Sequence, residues 1–138
     1  MNCNKIFFYL LLCFFFLQCK ENESSYFKEI KNLIENELGD GLKEYDMVYI
    51  IPGSGCTGCI NSAEKYFFGN VKNERKKFIF TYNFSTKNLV LKLKKENIEQ
   101  KNVLIDEKNI FYLDQHKENI YPIAIEIVDG KVSKVSYL

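Results

Sequence analysis

Met47-Val48-Tyr49-Ile50-Ile51-Pro52-Gly53-Ser54-Gly55-Cys56-Thr57-Gly58-Cys59 is the stretch that decides the fold of this 138-residue chain. Five apolar residues bounded by Asp46 and Pro52 read as a buried strand. Pro52-Gly53-Ser54-Gly55 makes a flexible approach to two cysteines three positions apart. Ile60, Ala63, Tyr66 and Phe67 then mark the inner face of a helix that ends near Gly69-Asn70. A strand therefore hands over to a helix at the cysteine pair. The first helical turn exposes unpaired backbone N–H groups and the positive end of the dipole, and both favour a thiolate over a thiol. A second sulfur one turn later can resolve a mixed disulfide by intramolecular attack, so the spacing has the layout of a dithiol redox centre.

Cys56 is expected to be the more exposed, attacking sulfur and Cys59 the more buried, resolving one. The bland alternative is an inert local disulfide or a pair of quiet thiols. A purely structural disulfide would close only a tiny loop and gain little entropically. Zinc is the other rival, but it usually takes four ligands. There is no second CxxC, and His116 is the only histidine, so no metal is expected.

Ahead of this region, Lys5 is followed by Ile6 to Leu17, twelve apolar residues without a charge. That run is shorter than the roughly 20 residues of a comfortable membrane span. Leu17-Gln18-Cys19 and the polar stretch Lys20 to Ser25 come directly behind it. The arrangement resembles a bacterial lipoprotein signal, which implies residues 1–18 as signal peptide, lipidation at Cys19 and 19–24 as a short polar tether. Gln18 and Phe16 depart from the small and aliphatic residues that this pattern prefers. An uncleaved N-terminal anchor and ordinary secretory cleavage are the alternatives. All three place the remainder outside the cytoplasm, attached to a membrane or free, and the lipoprotein reading places it in the cell envelope, facing the periplasm or exterior.

Cleavage before Cys19 leaves 120 residues, enough for one compact domain over 25–138. The chain has formal charge +1 with Glu and Lys interleaved, and it carries neither a basic stripe nor an acidic tail. Charge gives nucleic-acid binding no support. Of five cysteines, the lipoprotein resemblance places Cys3 and Cys13 in the signal and a lipid on Cys19. Two remain for the folded part, in a compartment where disulfides persist.

Upstream of the deciding stretch, Ser24 or Ser25 caps a helix through about Leu38 whose core face is Tyr26, Phe27, Ile30, Leu33, Ile34 and Leu38. Gly39-Asp40-Gly41 stops it. Downstream, Lys77 to Tyr82 reads as a strand. Ser85 or Thr86 caps a helix through Leu89 and Leu93, although Leu89-Val90-Leu91-Lys92-Leu93 also fits a strand. Asn102 to Ile105 reads as a short strand and Asp106 to Leu113 as turn and irregular chain. Ile123 to Val128 is a strand, and Asp129-Gly130 turns it into a returning strand, Lys131 to Tyr137. The order is that of an α/β sandwich with a mixed sheet.

This order, with Cys56-Thr57-Gly58-Cys59 opening the second helix and Tyr121-Pro122 directly before the final hairpin, resembles the thioredoxin-like fold. With the lipoprotein-type front end, the whole looks like a membrane-attached thioredoxin-like protein of a Bacteroidetes-type bacterium. The resemblance covers about residues 45–137 and implies a three-layer sandwich. It also implies a cis Tyr121–Pro122 bond against the dithiol, with the Tyr121 backbone and Pro122 holding an extended substrate segment. Three features depart from the family. Gly55 stands where a Trp is usual, the dithiol turn Thr57-Gly58 lacks proline, and no C-terminal helix is expected after the hairpin.

The resemblance also implies a buried acid that assists proton transfer from the resolving thiol, and Asp46, Glu64 and Glu126 are the candidates for it. A solvated strand face explains Glu126 equally well, and an ionised carboxylate beside the pair would raise its pKa. Gly53 and Gly55 either admit a partner backbone or simply make the turn. His116, among Asp114, Gln115, Lys117 and Glu118, reads as a surface residue, Lys72 to Lys77 as a solvated turn, and the tyrosines and phenylalanines after Cys19 as core. The leading expectation is a membrane-anchored thiol–disulfide oxidoreductase that acts on protein thiols and an envelope redox partner and needs no bound cofactor. A noncatalytic thioredoxin-like binding or accessory lipoprotein is the alternative. Peroxide reduction is the weakest reading, because the cysteine loop offers no convincing Thr or Arg partner for it.

Overall fold

The computed structural model describes residues 23–81 and 86–138. The leader 1–18, Cys19 and Tyr82 to Ser85 lie outside the described residues.

Helix α1 spans Ser25–Leu38, and the Ser24 side chain caps it by accepting from the Phe27 N–H. A 3-10 helix, Gly39–Glu44, leads into strand β1, Met47–Pro52. Helix α2 covers Thr57–Asn70, strand β2 Lys76–Thr81 and helix α3 Thr86–Leu93. A single turn, α4 (Lys95–Ile98), precedes strand β3, Val103–Asp106. After a long connection that includes a second 3-10 helix, Lys117–Ile120, strands β4 (Ile123–Val128) and β5 (Lys131–Tyr137) close the sheet.

The sheet order is β3-β2-β1-β4-β5. Strands β1, β2 and β3 are parallel; β4 runs antiparallel to β1 and β5 antiparallel to β4. This is an open, thioredoxin-like α/β sandwich, as the sequence implied. Asp129 and Gly130 both take positive φ, 52° and 75°, as a two-residue turn matched to strand twist requires. Ser133 is the extra residue of a bulge, because Glu126 pairs with Lys134 while Ile127 pairs with Val132.

Period-two alternation divides the strands between two cores. Val48, Ile50, Ile79, Ile123, Ile125 and Ile127 face α1, where Tyr26, Ile30 and Ile34 are buried. Tyr49, Ile51, Phe78, Phe80 and Ala124 face α2 and α3, meeting Ile60, Ala63, Phe67, Leu89 and Leu93. The segment Leu89 to Leu93, which fits two periodicities, is thus helical: Leu89 and Leu93 point inward while Leu91 is 73% exposed.

On the α2 side, β4 and β5 carry no covering helix among the described residues. Glu126 stands exposed there, directly across from Lys134. It belongs to a solvated strand face.

Buried polar groups tie the elements together. Asn102 donates to the carbonyls of Val71, Asn73 and Lys76, at 2.8–3.2 Å, and pins the end of α2 to the starts of β2 and β3. Asp106 accepts from the N–H groups of Ile110 and Phe111 and so orders the turn after β3. Lys76 does not belong to a solvated turn. Its ammonium donates to the Tyr66 hydroxyl and to Asn70 Oδ1, both at 2.6 Å, and the Tyr66 hydroxyl lies 3.0 Å from that of Tyr49. Burial, then the hydrogen bond with Tyr66, pushes the Tyr49 phenol up. Burial also acts to raise Tyr66, but the hydrogen bonds with Lys76 and Tyr49 outweigh it and bring that phenol down.

Candidate functional site: a disulfide at the start of a helix

Cys56 and Cys59 form a disulfide with their Cα atoms 5.3 Å apart. Cys56 is the N-cap of α2, and its carbonyl accepts the Ile60 N–H at 2.9 Å. Both cysteines are half-buried, while Gly53, Ser54, Gly55, Thr57 and Gly58 around them are exposed. The pair therefore sits at the C-terminal end of β1, where the parallel strands end and the connecting loops gather. No acidic residue occupies the first turn of α2, so no carboxylate there offsets the positive end of its dipole, which favours a thiolate in the reduced state.

A backbone contact with a distant loop fixes the approach to the disulfide. The Cys56 N–H donates to the Ile120 carbonyl at 3.1 Å. Gly55 takes φ +135°, and a Cβ placed on it would lie 2.5–2.7 Å from Ile120 Cβ, O and Cα. The close approach that a glycine allows here is therefore intramolecular. Asn119 sets the position of Ile120. Its buried side chain pairs with both backbone groups of Leu113, accepting from the N–H at 3.1 Å and donating to the carbonyl, and this closes the loop 113–119.

Tyr121 and Pro122 follow immediately, beside the dithiol loop. Pro122 is fully buried and its carbonyl accepts from the Leu138 N–H at 3.0 Å, while Tyr121 is 40% exposed. The expected cis bond is not found: no peptide bond among the described residues is cis, and Tyr121–Pro122 is trans. The two isomers of an X–Pro bond differ by only about 0.5–1 kcal/mol, so packing decides between them. Here Tyr121 is extended, with its N–H closing the preceding 3-10 turn onto the Glu118 carbonyl, and Ile120 is the residue that meets the dithiol loop through its backbone.

The candidate carboxylates separate. Asp46 lies at the start of β1, the opposite end from the disulfide, and binds Arg75 through Nε at 3.0 Å and through Nη2. The hydrogen bond from Arg75 holds its carboxyl below the ordinary value. Glu64 is on the buried face of α2, two turns beyond Cys56, and pairs with Lys92 Nζ of α3 at 2.6 Å. It clamps the two helices together. Glu126 is on the solvated strand face described above.

His116 is not a surface residue. Its side chain is 11% exposed and its ring packs on Tyr26, centroids 5.3 Å apart. Nε2 lies 3.1 Å from Glu29 Oε1, though out of line for a hydrogen bond. The 3-10 turn that follows folds this histidine back onto α1. No group of three or more Cys, His, Asp or Glu side chains that could hold a metal ion occurs among the described residues.

The sequence reading missed the Ile120 carbonyl, the Asn119 clasp and the exposure of several aromatics. Phe68, Tyr121 and Tyr137 are 40–50% exposed. A polar run ending in Asn119-Ile120 before Tyr121-Pro122 was the only local signal for the first two. Comparison with known proteins returns no match: no family model fits the chain, and no curated protein or solved structure is significantly similar to it.

Proposed function

We propose that this chain exchanges disulfides with protein thiols through Cys56 and Cys59, held at an envelope membrane by a lipid on Cys19. The observation that carries the reading is the disulfide at the N-terminus of α2, at the loop end of a thioredoxin-like sheet, with no acidic residue in that helical turn. In the reducing direction, the Cys56 thiolate attacks a substrate disulfide, forms a mixed disulfide and releases one substrate thiolate. The Cys59 thiolate then attacks Sγ of Cys56, re-forms the Cys56–Cys59 bond and releases the second substrate thiolate. Two electrons pass from the dithiol to the substrate, and an external thiol partner restores the dithiol. The oxidising direction is the reverse, and the relative potentials of the pair and its partner choose between them.

Among the described residues no helix is long and apolar enough to cross a membrane. The anchor reading rests on the run Ile6 to Leu17 and the cysteine behind it.

The test uses the full chain with oxidised glutathione and a disulfide-linked peptide. Cys59→Ser is expected to accumulate a mixed disulfide on Cys56, read by mass, and both Cys56→Ser and Cys59→Ser are expected to drop exchange to the uncatalysed background. Exchange at the unaltered rate in Cys56→Ser would remove the dithiol mechanism and leave a binding role for the fold.

A further inference from the structure

Four large apolar or aromatic side chains stand exposed in one neighbourhood beside the disulfide: Ile120 (39%), Tyr121 (40%), Tyr137 (50%) and Leu138 (45%). Their contacts run from the dithiol to the start of the first helix. Cys56 binds Ile120 through the backbone, the Tyr121 ring meets the Tyr137 ring at 5.6 Å, and Tyr137 meets the Phe27 ring of α1 at 5.1 Å. Helix α1 then runs away from the site along β5, its Glu35 carboxylate accepting the Val132 N–H near the far end. The amino end of the described chain therefore leaves at the dithiol end of the molecule. The hairpin turn Asp129-Gly130 lies at the opposite end of β4, about 17 Å away for a strand of this length.

Chain length converts this into an orientation. Cys19 lies six positions before Ser25, and six residues span at most about 20 Å when fully extended. An anchor at Cys19, or the apolar run Ile6 to Leu17 itself, holds the start of α1 within about that distance or slightly more of the bilayer. The exposed apolar patch tied to that start, through the contact between Tyr137 and Phe27, is Ile120–Tyr121–Tyr137–Leu138. Tyrosine rings that combine an apolar body with a hydroxyl suit the headgroup boundary, where one side is apolar and the other wet. An exposed cluster of large apolar side chains marks a contact surface.

From this geometry we infer that the patch seats on the lipid bilayer, so that the Cys56–Cys59 pair faces the membrane and meets partners that present their sulfurs at its surface. This orientation rests on the anchor reading above, and the experiment separates the two. The chain contains no tryptophan, so one introduced indole reports alone. Full-length Tyr137→Trp, and separately Tyr121→Trp, are reconstituted in phosphatidylcholine–phosphatidylglycerol vesicles with and without brominated acyl chains. Val128→Trp, half exposed at the far end of β4, is the comparison site.

The orientation requires blue-shifted emission that bromine quenches at positions 137 and 121, with position 128 unquenched. Protein that fails to float with the vesicles would overturn the anchor and the orientation together. Floating protein with positions 121 and 137 unquenched would overturn the orientation alone. A blue shift that ignores bromine but follows protein density would assign the patch to a second copy of the chain and overturn it equally.

Discussion

Gly55→Ala is expected to destabilise the folded chain by about 3 kcal/mol or more, a large part of the roughly 5–15 kcal/mol that holds a domain of this size. Two independent penalties converge at this residue. Its φ of +135° lies where L side chains rarely go, which costs on the order of 1–3 kcal/mol. The new methyl would also press on Cβ, O and Cα of Ile120 at 2.5–2.7 Å. Those atoms are backbone and branch point, which cannot rotate aside, and overpacking of this kind costs about 1–3 kcal/mol. Relief by separation of the two loops would give up the Cys56 N–H to Ile120 hydrogen bond. Gly58→Ala makes the contrast. Nothing lies within 4 Å of its Cβ position and it sits in the first turn of α2, so a change within about 1 kcal/mol, in the stabilising direction, is expected. Urea unfolding of the two variants reads both values.

Phe67→Ala is expected to cost about 3–5 kcal/mol, the range for deleting a fully buried aromatic ring. Phe67 is 0% exposed and packs edge-on against Phe78 at 5.1 Å and Phe80 at 5.0 Å. It is the rivet that fastens the dithiol helix to the sheet, so its loss also loosens the frame in which the cysteines are held. Phe68, the next residue, is 44% exposed and touches Phe67 at 5.4 Å. Its replacement by alanine should cost less than about 1 kcal/mol, in keeping with a side chain that leaves much of its area in water. Equal midpoints for the two variants in urea would contradict this division of the helix faces.

The features legible in the sequence were those that local chemistry decides. Met47 to Ile51 alternates between two cores and could be read as a strand from its apolar run alone. Asp129-Gly130 announced its turn because few residue pairs accept two positive φ values. The cysteine spacing placed the site at the start of a helix, and the structure joins the pair there.

What stayed hidden depends on contacts between distant parts of the chain. Gly55 and Ile120 are 65 positions apart, so a glycine that could equally make a turn gave no sign of its neighbour. The two isomers of an X–Pro bond differ by only about 0.5–1 kcal/mol, so the sequence alone does not choose between them, and Tyr121–Pro122 is trans. Glu64 reads as a candidate proton-transfer group of the dithiol until Lys92 arrives from α3 to pair with it. His116 stands in a run of polar residues whose composition says surface, yet a 3-10 turn folds it onto Tyr26. The two 3-10 helices, Gly39–Glu44 and Lys117–Ile120, have no periodic apolar face that would mark them in the sequence.

A working redox pair at Cys56 and Cys59 is distinguished from a structural disulfide by the reduction potential of the couple. Equilibration of the full chain with glutathione and dithiothreitol buffers, read by thiol alkylation and mass, gives the value. A reversible two-electron couple between about −120 and −270 mV is expected, the range of dithiol proteins that exchange with partners. A potential below about −300 mV, where structural disulfides lie, would mean that the pair only braces the start of α2 and exchanges with no partner.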